Sequence, residues 1–200
     1  MKHLRVFIIA LLWVAVSFPA SAEKISLNKL SGYLNKLVTA KGGFTQINSD
    51  GTISTGTIFI KRPGRIRFEY NPPERSLVMA GGSQVAIFDG KTKNGPEQYP
   101  LKRTPLSLIL QKNVNLARAR MVTAHKSDGK TTTVVAQDPK NPEYGHIRLV
   151  FTSKPVELRQ WVIVDGSGNE TTVILNELKT GMALPAHLFS IPFEVDKRGL

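Results

Sequence analysis

The chain has 200 residues and a formal net charge of +12, because 27 lysines and arginines outnumber 15 aspartates and glutamates. Its length suits one domain with a sizeable hydrophobic core, and its charge favours anionic partners such as nucleic acid, anionic lipid headgroups or acidic protein surfaces. It contains no cysteine, which excludes disulfides, cysteine-based catalysis and attachment of a lipid through cysteine.

The first 22 residues have the features of a secretory signal peptide. Lys2 and Arg5 precede an uninterrupted apolar run over residues 6–16, and Ala20-Ser21-Ala22 provides small residues where a signal peptidase cleaves. The run is shorter than the roughly 20 apolar residues that a membrane-spanning helix needs. We therefore expect cleavage near Ala22 and export of a soluble product, so nucleic acid is not an expected partner.

Residues 23–200 contain no linker, low-complexity segment or repeat, and therefore predict a single domain. Apolar residues at helical spacing predict an amphipathic helix over 25–38, which Gly42-Gly43 ends. From Phe44 onward the apolar period changes to two, and short Asp-Gly and Gly-Gly turns separate the segments, which predicts a meandering antiparallel sheet. The predicted strands cover residues 43–48, 53–60, 65–71, 75–80, 84–89, 97–101, 119–125, 131–137, 146–152, 156–165 and 170–178.

A second, shorter helix is predicted between the strands at 97–101 and 119–125. Thr104 suits the N-cap and Pro105 the first helical position. A helix with so few polar residues needs burial on most of its circumference, so it is either a plug of the core or a mobile lid over a cavity. Its apolar residues are Leu106, Leu108, Ile109 and Leu110.

Several predicted strands carry apolar residues on both faces. Residues 77–80, 85–88 and 161–164 are the clearest examples. An antiparallel sheet with one face in water does not need this pattern, so either both faces are covered or one face lines an apolar cavity. The pattern alone leaves a packed core and a cavity as alternatives.

The sequence lacks the common catalytic and metal-binding motifs. We find no nucleophile elbow, no His-Glu-x-x-His and no phosphate-binding glycine loop. His125, His146 and His187 stand at isolated positions without the spacing of metal ligands. We expect no catalytic residue, no metal and no cofactor; a hydrolase that uses carboxylates remains the less favoured alternative.

Residues 61–73, KRPGRIRFEYNPP, carry the most specific signature. Apolar and charged residues alternate between Arg65 and Tyr70, and Pro63-Gly64 and Asn71-Pro72-Pro73 bracket this strand. The motif resembles the LolA-type family of periplasmic carriers of outer-membrane lipoproteins. Further segments resemble that family in the same order and spacing: Phe44-Thr45-Gln46, Thr57 to Tyr70, Ser76 to Phe88, Thr104 to Leu110, Trp161 to Asp165, and the closing residues Phe189, Pro192, Val195 and Asp196.

The resemblance implies a fold and a function together. The implied fold is an incomplete β-barrel of about eleven antiparallel strands, with helices closing a hydrophobic cavity. The implied protein works in the periplasm as a monomer without chemistry of its own. It takes triacylated lipoproteins from an inner-membrane lipoprotein-releasing ABC transporter to an outer-membrane receptor or to the outer membrane. The alternative is a periplasmic lipid or polyanion binding module of the same fold with a different cargo.

The resemblance also implies roles for particular residues. Arg62 occupies the position of the arginine that holds the lid closed through hydrogen bonds to lid-helix carbonyls; the alternative is a solvated arginine at a strand end. The lid helix corresponds to Thr104 through Leu110. The residues implied for the cavity wall are Phe59, Ile66, Phe68, Leu77, Met79, Ile87 and Phe88.

Overall fold

The computed structural model describes residues 23–92, 94–118 and 120–200, and is dominated by one antiparallel sheet. The predicted signal segment and its cleavage site lie outside the described residues. The strands are β1 (Thr39–Ile47), β2 (Ile53–Lys61), β3 (Arg65–Tyr70), β4 (Leu77–Gly81), β5 (Gln84–Phe88), β6 (Glu97–Pro100), β7 (Val122–Ser127), β8 (Thr131–Gln137), β9 (His146–Ser153), β10 (Val156–Val164), β11 (Glu170–Leu175) and β12 (Lys179–Thr180).

The strand order explains why the sheet is open. It runs β6-β5-β4-β3-β2-β1-β11-β10-β9-β8-β7, and the two-residue β12 pairs with the start of β1. Strands β6 and β7 follow each other in the chain but lie at opposite edges of this sheet. The predicted half-barrel of about eleven antiparallel strands is confirmed, and the β6–β7 connection must cross from one edge to the other.

Short acidic turns join neighbouring strands where the sequence predicts them. At the β7–β8 turn, the carboxylate of Asp128 accepts hydrogen bonds from the backbone N–H groups of Lys130 and Thr131 at 2.8 and 2.6 Å, and Gly129 has a φ of 83°. These hydrogen bonds lower the pKa of Asp128 to about 2. Glycine tolerates this left-handed backbone without strain, so the turn keeps the two strands in register.

The predicted first helix is confirmed as α1 (Leu27–Lys36), slightly shorter than the expected 25–38. The hydroxyl of Ser26 caps it by accepting a hydrogen bond from the N–H of Lys29 at 3.4 Å. Its apolar side, with Leu30 and Leu34, is buried in the main core, and Tyr33 stacks edge-on against Phe151 with ring centres 5.9 Å apart. We call the side of the sheet that α1 covers the inner face.

The second helix, α2, is a single turn over Ser107–Leu110, shorter than predicted. The prediction that Thr104 is its N-cap is wrong, because Leu106 holds that position. The hydroxyl of Thr104 instead donates to the carbonyl of Leu101 at 2.8 Å and ends a preceding 3-10 turn. Thr104, Pro105 and Leu106 therefore form a turn that leads into the helix, since the N–H groups of Ser107 and Leu108 donate to the carbonyls of Thr104 and Pro105.

A third helix, α3 (Ile191–Arg198), was not predicted from the sequence. Ser190 caps it by accepting from the N–H of Phe193 at 3.3 Å, and Gly199 ends it with a left-handed backbone. It covers the side of the sheet opposite α1, which we call the outer face, where Ile191 belongs to a second, smaller core. None of the helices in the described residues has the length and apolar character needed to cross a bilayer.

Candidate functional site

The candidate site is an apolar cavity of about 480 Å³ on the inner face. Its wall is formed by both arms of the sheet, by which we mean β2–β6 on one side of β1 and β7–β11 on the other, and the lead-in to α2 lies against it. Phe68 and Trp161, on opposite arms, stack edge-on with ring centres 6.2 Å apart. The lining residues are Gln46, Phe68, Tyr70, Val78, Val85, Ile87, Arg103, Thr104, Pro105, Leu106, Glu143, Tyr144, Trp161, Ile163, Asp165, Gly166, Thr171 and Val173.

Three of the seven predicted wall residues lie on the inner face. Phe68 and Ile87 line the cavity, and Ile66 is buried in the same core beside it. Antiparallel register explains the grouping, because directly opposed residues share a face: Phe68 opposes Val78, which opposes Ile87. The structure therefore brings these side chains together.

The assignment of Phe59, Leu77, Met79 and Phe88 to the cavity wall is wrong. Leu77, Met79 and Phe88 pack against α3 in the outer-face core. Phe59 opposes Arg67 on the same outer face, where the ammonium of Lys41 lies 5.2 Å from its ring centre. Strand assignment alone does not decide the face, since one residue of register inverts every side chain.

Both sequence interpretations of the two-faced apolar strands are realised in this sheet. On the inner face, Val78 and Val85 line the cavity together with Pro105 and Leu106. On the outer face, Met79 and Ala86 are fully buried beneath α3. The sequence interpretation missed α3 as the cover, although Ser190 followed by Ile191-Pro192 is a helix start signal.

A buried ion pair holds α3 to the sheet. Nη1 of Arg67 lies 3.1 Å from Oε2 of Glu194, and Nε of Arg198 lies 2.9 Å from the other carboxylate oxygen. Burial alone would raise the pKa of Glu194, but the hydrogen bonds and charges of Arg198 and Arg67 outweigh it and hold that pKa below its ordinary value. Arg67 also donates to the carbonyl of Leu188 at 3.2 Å.

The β6–β7 connection crosses the inner face and acts as the cover of the cavity; we call residues 101–116 the lid segment. It begins where the N–H of Leu101 donates to the carbonyl of Ser83 at 2.9 Å. Leu108, Ile109 and Leu110 are buried in the main core, while Pro105 and Leu106 line the cavity. The predicted lid residues thus lie together over the inner face.

Arg62 sits between α1 and the lid segment rather than in solvent. Its side chain is buried, donates to the carbonyl of Leu34 and donates to the carbonyl of Gln111 at 2.5 Å. Gln111 is the residue directly after α2. Burial lowers the pKa of Arg62, yet an arginine stays charged at neutral pH. The alternative of a solvated strand-end arginine is therefore wrong.

The turn that follows Arg62 adds a second bond to the lid segment. The N–H of Gly64 donates to the carbonyl of Leu110 at 2.8 Å, and Gly64 has a φ of 70° that favours glycine. Two successive carbonyls at the end of α2, those of Leu110 and Gln111, are thus satisfied by the β2–β3 turn. Helix ends need such partners for their unpaired carbonyls.

Two polar residues of α1, which sequence reasoning missed, bind the lid segment further along. The side-chain amide of Asn35 donates to the carbonyl of Val114 and accepts from the N–H of Val114, both at 2.9 Å. The hydroxyl of Ser31 accepts from the N–H of Leu116 at 2.9 Å. Ser31 and Asn35 are one helical turn apart, so polar residues at this spacing beside buried leucines were the available signal.

Polar groups also line the cavity. The guanidinium carbon of Arg103 lies 5.7 Å from the ring centre of Tyr144, which links the lid segment to the β8–β9 connection on the other arm. Elsewhere in the lining, the hydroxyl of Tyr70 donates to the side-chain oxygen of Gln46 at 2.6 Å. Burial is the main reason that the pKa of Tyr70 rises to about 12.

The described residues contain no group of three or more His, Asp or Glu side chains arranged to hold a metal ion. The isolated histidine His125 has a structural contact: its Nε2 lies 2.9 Å from the carbonyl oxygen of Ile25, which ties β7 to the segment before α1.

An unclosed antiparallel sheet, an apolar cavity on its inner face and a lid segment between its two edges define the class of LolA-like open half-barrels. The profile of the family described as outer membrane lipoprotein carrier protein LolA matches residues 35–192. The chain belongs to this family, and the predicted resemblance is confirmed.

Relatives along nearly the whole chain agree with this assignment. The outer-membrane lipoprotein carrier protein of Pseudomonas paraeruginosa is 26% identical over 208 aligned positions, covering 98% of this chain and 98% of the relative. That of Coxiella burnetii is 25% identical over 178 positions, covering 84% and 83%. A solved domain from Vibrio parahaemolyticus, proposed to be an outer membrane lipoprotein-sorting protein, shares the fold with a TM-score of 0.50 at 7% identity, covering 86% of this chain and 96% of that one.

Proposed function

We propose that this protein is a periplasmic carrier that shields the acyl chains of triacylated lipoproteins. It receives them from an inner-membrane lipoprotein-releasing ABC transporter and delivers them to an outer-membrane receptor or to the outer membrane itself. It acts as a monomer and catalyses no reaction. The observation that carries the proposal is the lid segment, which crosses between the two open sheet edges and covers an apolar cavity.

The physical problem for such a carrier is release. Each methylene that leaves water contributes about 0.8 kcal/mol, so several acyl chains bind very strongly to an apolar cavity. Closure of the lid segment competes with cargo, because Leu108 and Ile109 occupy the same inner face. The hydrogen bonds of Arg62 and Gly64 to this segment stabilise the empty state and therefore favour unloading.

The sequence supports a periplasmic location. Residues 1–22 act as a signal peptide, cleavage occurs near Ala22, and residues 23–200 form the exported domain. The basic composition of the chain suits contact with anionic headgroups or acidic protein surfaces during loading and delivery.

The decisive experiment is to purify the protein from periplasm and identify what it carries by mass spectrometry. Triacylated N-terminal peptides of lipoproteins support the carrier function. Free lipids or a soluble polyanion without lipoprotein would contradict it and identify a binding module of the same fold with a different cargo. Sequencing of the purified protein's N-terminus tests the cleavage site in the same sample.

A further inference from the structure

Trp161 presents a buried hydrogen-bond donor that has no partner. The residue lies in β10, its side chain is completely buried, and it lines the apolar cavity. Its indole Nε1 is shielded from solvent and finds no acceptor in the described part of the chain. Buried polar groups nearly always have partners, because an unmade hydrogen bond leaves the full desolvation penalty uncompensated.

Two polar side chains of the same lining have partners, unlike the indole of Trp161. The hydroxyl of Tyr70 and the amide of Gln46 are hydrogen-bonded to one another. The residues directly opposite Trp161 on the neighbouring strands are Val173 and Leu149, and its stacking partner is Phe68. None of these three side chains offers an acceptor, and no other group in the described residues accepts a hydrogen bond from the indole.

The missing acceptor therefore belongs to an occupant of the cavity. The occupant must be mostly apolar, because Phe68, Val173 and Leu106 surround the same space. It must also carry a hydrogen-bond acceptor, and an uncharged acceptor costs less to bury than a carboxylate or phosphate, which would lose its hydration. A plain alkyl chain supplies no acceptor at all. The ester or amide carbonyl that attaches an acyl chain meets both conditions.

We propose that the Nε1–H of Trp161 donates a hydrogen bond to an acyl carbonyl of the bound cargo. Leu106 lines the same cavity and the donor is shielded in the closed protein, so the bond forms when cargo displaces the lid segment. The inference rests on the proposed carrier function and adds what the cavity recognises. Trp161 is then a specificity residue that distinguishes acyl chains from other apolar chains.

The test compares two lipids that differ only at the carbonyls: a fluorescent diacyl lipid with ester linkages and its diether analogue. Both are titrated into the wild-type protein and into Trp161→Phe, which removes the N–H and keeps an aromatic ring. We expect the wild type to bind the ester more tightly than the ether. In Trp161→Phe the ratio of the two affinities should fall about three- to tenfold, which corresponds to the loss of one neutral hydrogen bond. Phe68→Leu is the matched control, because it alters the packing beside Trp161 without removing a donor; both lipids should weaken together.

The outcomes separate the inference from the proposed function. If the wild type binds neither lipid, the carrier function and the inference both fall. If the wild type binds both and the ester-to-ether ratio is the same in Trp161→Phe, only the inference is overturned. The inference is also overturned if the ester-to-ether ratio falls as much in Phe68→Leu as in Trp161→Phe. Should Trp161→Phe not fold, tryptophan emission of the wild type decides: it must shift to longer wavelength with the ester and not with the ether.

Discussion

Arg62 and Gln111 are joined by a hydrogen bond of 2.5 Å between the guanidinium Nη2 and the main-chain carbonyl, so a buried charge at the end of β2 holds the end of α2. The same guanidinium also donates to the carbonyl of Leu34 in α1. A single side chain thus connects the sheet, the first helix and the lid segment in the closed protein.

We predict that Arg62→Leu leaves the fold intact but impairs delivery of cargo. Two carbonyls lose a charged donor, which weakens the closed state by about 1–3 kcal/mol and shifts the population toward the loaded form. Transfer of a labelled lipoprotein to receptor-bearing membranes should fail or slow strongly. Arg65→Leu is the matched control, since Arg65 is exposed on the other side of the same turn. Unchanged transfer by Arg62→Leu would reduce Arg62 to a structural role.

Asn35→Ala should loosen one particular part of the lid segment. The N–H of Val114 loses its acceptor, whereas that of Leu116 keeps the hydroxyl of Ser31. We expect faster hydrogen exchange at Val114 and little change at Leu116. Because the side-chain oxygen of Asn35 also accepts from Arg62 at 3.4 Å, a double-mutant cycle of these two residues should show coupling of about 0.5–3 kcal/mol. Strict additivity would show that the two contacts act independently.

Ile109→Glu tests whether α2 is a mobile lid or a plug of the core. Ile109 is buried in the main core, so a carboxylate there should weaken closure and reduce binding of a fluorescent acyl probe. A lid predicts loss of probe binding with a nearly unchanged melting temperature. Parallel collapse of both quantities would identify α2 as ordinary core. Ser107→Glu, on the half-buried polar position of the same turn, should leave both quantities close to the wild type.

Acid should weaken the attachment of α3 through Glu194. The pKa of this carboxylate is lowered in the folded protein by Arg198 and Arg67. Its contribution to stability is therefore complete above the unfolded value of about 4.3 and is lost as the pH falls through the folded value. Glu194→Gln should lower the free energy of unfolding at pH 7 by about 3 kcal/mol and flatten its decline on acidification.

Denaturant unfolding at several pH values measures this effect. Asp196→Asn in the same helix serves as the control, because Asp196 is exposed. A Glu194→Gln protein with the same acid dependence as the wild type would contradict the assignment of this part of the pH dependence to the ion pair.

The strands and α1 could be predicted because their signals are local. Alternation between Arg65 and Tyr70 fixes a strand regardless of what packs on it, and the confirmed family assignment supplied the half-barrel. The faces of β4 and β5 could not be predicted from the sequence, because Leu77 and Val78 are both apolar. Only the position of α3 shows that Leu77 lies on the outer face and Val78 on the inner face. The prediction of Thr104 as an N-cap was wrong because its hydroxyl donates instead to the carbonyl of Leu101 in the preceding 3-10 turn.

The Trp161 donor and the anchors on α1 depend on contacts between distant segments. Nothing near Trp161 in the sequence states that its indole lacks an acceptor. Likewise, Ser31 and Asn35 gain their role only when residues 114–116, about 80 positions later, cross the inner face. Such features need coordinates because they come from tertiary packing.

The open sheet leaves two unpaired edges, and each is built in a way that discourages intermolecular strand addition. Exposed edges present free N–H and C=O groups that invite another chain. β6 has only four residues and ends at Pro100, which has no N–H to donate, and β7 carries a register shift between Val122 and Ala124 that distorts its edge. The half-barrel is therefore able to stay open for cargo without polymerising through its edges, a hazard that a closed barrel never meets.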